Sequence, residues 1–285
     1  MNAMKKLLAI LTVVLGVSSF LAIESTAQNV LDGVYVKEHY PTRKVIPYTH
    51  LREADVMWAT RIWRKLDLRE KINHPLYFPT EAIKNRRSLT QVIIEAVREG
   101  SLTAYDPLDD EFTMTLTKAE IERKLSFIDT QYIESPEPPY DLQMTVIEEE
   151  FNPANVKEFR LKEDWFFDRQ KSILDVRIIG IQPVADNVDR QTGEIRGTEP
   201  MFWVYFPEAR NIFASAEVFN RQNDAERRTM EDIFWKRMFG SYIYKEKNVY
   251  DRQIAEYMLN GIDQLLEAEK IKDDIFILEH DLWEY

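Results

Sequence analysis

The chain has 285 residues, with 37 Lys and Arg against 49 Asp and Glu, a formal net charge of −12 and no cysteine. An acidic field of that size repels phosphate backbones and anionic lipid surfaces, so it argues against nucleic acid and for a basic protein surface as partner, with acidity that serves solubility alone as the alternative. Without cysteine, neither a disulfide nor a lipid-modified thiol is available, and core packing alone must stabilise the fold.

In chain order, Lys5 and Lys6 form a short basic region, Leu7 to Val17 an uncharged apolar run, and Ser25-Thr26-Ala27 a small-x-small cleavage site. Together they read as an export signal cut between Ala27 and Gln28. A retained anchor helix is the alternative, because Leu7 to Ile23 carries no charge; Gly16, Ser18 and Ser19 weaken it. Removing residues 1–27 takes away Lys5, Lys6 and Glu24 and leaves 35 basic against 48 acidic side chains, a net of −13. No later segment is apolar enough to act as a direct membrane anchor, so the chain reads as exported and soluble.

A short segment around Asp32-Gly33-Val34-Tyr35-Val36 leads through Pro41 and Pro47 to a helical signal over Leu51 to Leu68. Its stripe is Val56, Ala59, Trp63 and Leu66, widened by Trp58 and Ile62, with Arg61, Arg64 and Lys65 opposite. A second helix is predicted from the capping box Ser88-x-x-Gln91 through Val92, Ile93, Ala96 and Val97 to Gly100. A third starts at Thr117-x-x-Glu120 and runs to about Phe127. Three prolines at 136, 138 and 139 interrupt any regular element.

Beyond them the period changes to two. Leu142, Met144 and Val146, then Leu174, Val176 and Ile178, then Phe202, Val204 and Phe206 each alternate with residues of the opposite face. The last two runs are joined by a polar connection holding Thr192-Gly193, which predicts an antiparallel hairpin with a long loop. Two helices close the pattern, one with the stripe Met230, Ile233, Phe234 and Met238, the other with Ile254, Tyr257, Met258, Ile262 and Leu265. The order predicts an α+β fold in which a helical N-terminal part is followed by an antiparallel sheet with C-terminal helices. Its divisions are a signal at 1–27, a mostly helical part at 28–134, a Pro-rich linker at 135–140 and an α+β part at 141–285.

Signals for chemistry are sparse. With eight glycines there is no phosphate-cradling loop and no nucleophile elbow, so no cofactor is expected. His39 and His50 flank a proline-rich loop and admit pairing across it; surface or capping roles are the alternative for them, as for His74 and His280. Asp164 and Asp168, at i and i+4 around Trp165-Phe166-Phe167, have the composition of an acid and base pair in a sugar site. Arg160, Lys162, Arg169 and Lys171 around them offer ordinary ion pairing instead. Glu148-Glu149-Glu150 lacks the ligand spacing of a calcium loop. Most of the 15 Phe, 13 Tyr and 6 Trp belong in a core, but Tyr and Trp also anchor interfaces. The apolar tail Ile275 to Tyr285 docks either on its own domain or on another subunit.

Specific runs resemble the gliding-motility and type IX secretion protein N family, GldN or PorN. They are Asp32 to His39, Val45-Ile46-Pro47-Tyr48, Leu51 to Trp58, Arg61-Ile62-Trp63-Arg64 through Asp67 to Lys71, Leu76-Tyr77-Phe78-Pro79, Leu174 to Ile181, and Met201 to Phe206. The resemblance implies a non-enzymatic periplasmic component of the secretion and gliding machinery. It implies a ring under the outer membrane with a lipoprotein of the GldK or PorK type, self-association within that ring, and contact with the periplasmic arm of a GldM or PorM type motor. It supplies no catalytic, cofactor or metal residues. Two regions are expected to touch partners: the segment from Tyr35 through His39 to Tyr48, and the terminal Leu282-Trp283-Glu284-Tyr285. A periplasmic carbohydrate-active enzyme or binding protein is the alternative reading.

Overall fold

The structure, a computed structural model, describes residues 43–83, 86–134, 142–188, 194–221, 223 and 225–282, with backbone alone over 127–134 and 142–149. The predicted export signal with Ala27 and Gln28, the residues Tyr35 and His39, the Pro-rich segment 135–140, the Thr192-Gly193 connection, and the terminal Trp283 and Tyr285 lie outside the described residues.

The described chain builds one seven-stranded antiparallel sheet, with its main helices packed on one face, and two small two-stranded sheets. Strand β1 (Val56–Asp67) lies between β11 (Tyr242–Glu246) and β5 (Val156–Asp168), and β5 pairs in turn with β6 (Ile173–Val188). Along the far edge of β6 run β7 (Ile195–Pro200) and β8 (Trp203–Tyr205), both antiparallel to it, and β2 (Ala104–Tyr105) pairs with β8. Two small sheets form separately: the hairpin of β3 (Ser126–Glu134) with β4 (Leu142–Glu150), and the pair β9 (Glu217–Val218) with β10 (Arg228–Thr229). The helices are α1 (His74–Tyr77), α2 (Leu89–Glu99), α3 (Lys118–Leu125), α4 (Phe206–Ser215), α5 (Met230–Trp235), α6 (Ile254–Tyr257) and α7 (Gly261–Asp281). The fold is therefore α+β, as the order of periodicities implies.

The segment Leu51 to Leu68, whose spacing predicts a helix, forms β1 instead, so the sheet begins within the part expected to be helical. The reason is burial on both faces. Ile62 and Leu66 face the helices, while Trp63, on the opposite face, is covered by the loop 106–116 and donates its indole N–H to Asp110 at 2.8 Å. Apolar residues on both faces blur a period of two, and the Val, Ile, Thr and Trp content of the segment favours the pleated form.

The predicted second and third helices form where their caps put them. Ser88 accepts from the backbone N–H of Gln91, whose side chain accepts from the Ser88 N–H, and Thr117 and Glu120 do the same. Gly100 closes α2 in the left-handed conformation at φ 81°. Ser88 is buried, so Ser88→Ala is expected to lower stability by about 1 kcal/mol, read as a lower urea midpoint at unchanged slope. The third helix stops at Leu125, and β3 follows directly.

Two further differences have local causes. The run ending at Phe206 is a strand only as far as Tyr205, because Pro207 opens α4 within its first turn. The single helix expected across Ile254 to Leu265 is broken at residues 258–260, where Asn260-Gly261 restarts the chain as α7.

The main core joins Leu66, Phe159, Leu161 and Ile181 of the sheet to Val92, Ile93, Phe206, Phe213 and Phe234 of the helices. A second cluster sets Ala268, Ile271 and Ile275 of α7 against Ile62, Ile243 and Ile254. Ile275, where the apolar tail begins, thus docks on its own domain. On the opposite face of the sheet, Phe112 packs so closely over Gly180 that a Cβ there would lie 2.5 Å from its ring.

Candidate interaction site

The carboxylates with the composition of an acid and base pair do not form one. Both lie on β5, where four residues span roughly 13 Å. Asp164 is opposite Arg61 in the ladder and accepts from it at 2.6 and 3.0 Å. Asp168 is buried and accepts from the backbone N–H of Gln170 at 2.9 Å, capping the turn into β6. Ion pairing and turn capping are what the geometry carries. His50 is exposed, and the His74 ring lies 3.3 Å from the Arg69 carbonyl. Among the described residues no group of three or more His, Asp or Glu is placed to hold a metal.

Lys162 is buried on the loop-covered face, against the rings of Trp63 and Phe112, and donates to the Asp110 carbonyl. Burial lowers its pKa in spite of the Asp110 carboxylate. Aromatic walls, the Asp110 carbonyl and the Asp110 carboxylate at 3.7 Å surround its ammonium, which ties the loop to β5.

Tyr48, expected to touch a partner, is held within the chain. It stacks on Trp235 with ring centroids 5.7 Å apart, and the Arg210 guanidinium lies 4.0 Å from its ring centre. Burial raises its pKa. The rest of this segment is tied down alongside: Arg43 forms a bidentate pair with Asp232, Arg210 donates to the Ile46 carbonyl at 2.8 Å, and Arg177 donates to the Thr49 carbonyl at 2.7 Å. Leu282, at the other expected contact, is half-buried at the end of α7.

Two surfaces that the sequence does not single out expose clusters of apolar side chains. The first is a groove of about 980 Å³ formed by the segment after β1 and the residues after β9. Ile72, Phe78, Ile83 and Phe219 line it with half or more of their surface exposed. Among the described residues its charged lining is Lys71, Arg86, Arg221 and Arg228 against Glu81, and the Arg86 guanidinium lies 5.5 Å from the Phe219 ring centre. A basic groove is unusual on so acidic a chain. The one local signal for it is the apolar run Leu76-Tyr77-Phe78-Pro79; the other wall comes from residues more than a hundred positions away.

The second surface is the corner where α6 meets α7. Leu259 is 95% exposed, and Tyr257, Ile262, Leu265 and Leu266 are exposed beside it. Exposed apolar groups clustered in this way mark interaction surfaces.

Among the described residues, an exposed basic groove and an exposed apolar corner are thus the surfaces that the α+β fold presents. Residues 51–284 match the family described as Gliding motility associated protein GldN, and the chain belongs to that family. Its members are components of gliding motility and type IX secretion. No curated protein matches the chain. Among the described residues no helix is long and apolar enough to cross a membrane.

Proposed function

We propose that the protein is a structural periplasmic component of the type IX secretion and gliding machinery. In this reading it self-associates in a ring with an outer-membrane lipoprotein of the GldK or PorK type and contacts the periplasmic arm of a GldM or PorM type motor. The observation that carries it is the family match over most of the chain. The exposed groove and corner support it, since each offers apolar surface of the kind that subunits bury. With no cysteine to carry a lipid, the chain is held at the outer membrane through its protein partners.

The test is a pull-down of the tagged protein from detergent-solubilised envelopes. Co-purification of an outer-membrane lipoprotein is the expected result. Recovery of the protein alone, as a monomer, overturns the reading.

A further inference from the structure

The groove and the α6–α7 corner are complementary in polarity and charge. The groove combines exposed apolar side chains with Lys71, Arg86, Arg221 and Arg228 against Glu81, and Arg228 also pairs with Glu226 at 3.4 Å. The corner presents Leu259, Ile262, Leu265 and Leu266, and the charged residues of 252–270 around it are Glu256, Asp263, Glu267 and Glu269 against Arg252 and Lys270, a net of −2. Neither surface suits a copy of itself. Two corners would oppose acidic helices, and two grooves would oppose basic linings, so a two-fold contact through either sets like charges face to face. A head-to-tail contact sets opposite charges together and buries apolar groups from both sides.

We propose that the α6–α7 corner of one copy docks in the basic apolar groove of the next. The contact is heterologous, so it leaves a free groove at one end and a free corner at the other, and it propagates into a ring or an open chain. This rests on the self-associating reading above and gives it its surfaces.

The experiment uses two variants of the purified mature chain, each at an exposed position. Ile83→Asp spoils the groove and keeps the corner; Leu266→Asp spoils the corner and keeps the groove. Each alone is expected to weaken self-association by roughly 30-fold or more in sedimentation equilibrium, with an unchanged melting temperature. Mixed, they are expected to form a one-to-one pair, because one intact groove then meets one intact corner. Arg86→Glu serves as a second groove variant if Ile83→Asp does not fold. A monomeric unsubstituted chain, variants that associate like it, or a mixture that stays monomeric would each overturn the proposal. If the lipoprotein still co-purifies, the place in the machinery stands: a monomeric unsubstituted chain then removes its self-association as well, and either of the other two results removes only this contact.

Discussion

Arg210→Ala is expected to lower the stability of the protein by about 3–5 kcal/mol, the usual cost of removing one partner from a buried ion pair. Arg210 and Glu231 are both buried, and the guanidinium donates to one Glu231 oxygen at 2.7 and 2.8 Å. The same side chain holds the Ile46 carbonyl and lies over the rings of Tyr48 and Trp235. Its removal therefore strands a carboxylate and takes one partner each from the Ile46 carbonyl and the Tyr48 ring, while Arg43 and Arg177 still hold the segment 43–50.

The pH dependence gives the loss a signature. Burial already raises the Glu231 pKa above its ordinary 4.5, although Arg210 pulls it down. Without Arg210 the folded value rises further. A carboxyl whose folded pKa is raised disfavours the folded state once it ionises; that penalty is absent below the unfolded value, grows as pH rises, and is complete above the folded one. The gap between the variant and the unsubstituted chain is expected to be wider at pH 7 than at pH 4, in urea melts at both. Arg210→Met combined with Glu231→Leu removes both charges and is expected to recover much of the loss. A gap that does not change with pH would mean that lost packing, and not the stranded charge, sets the cost.

What is legible in the sequence is local. The boxes at Ser88 and Thr117 set helix starts because each links residues three apart, and the alternation from Leu174 to Ile178 marks a strand. Strand β1 looks helical in sequence because its second face is covered by residues 106–116, a tertiary fact that no window around Trp63 contains. The groove is hidden for the same reason: Ile72 and Phe219 line one surface although 147 positions separate them. The pairing of Asp164 with Arg61 joins positions 103 apart and depends on the register of two strands. Charged neighbours in sequence suggest the right chemistry for it, but not the partner.

Phe213→Ala is expected to cost about 3–5 kcal/mol, by lost transfer energy and by the cavity left in a core that cannot fully close. Phe213 is fully buried, with its ring centroid 5.7 Å from Phe206 and 5.8 Å from Phe234, which are themselves 5.3 Å apart. The three rings join α4 to α5, and α5 carries the Asp232 and Trp235 that hold the segment 43–50. Phe213→Leu keeps much of the volume and loses the ring contacts, so it is expected to cost less than the alanine variant. Denaturant melts of the two variants separate cavity from ring geometry. Equal losses would show that the aromatic contacts, rather than the filled volume, hold these helices together.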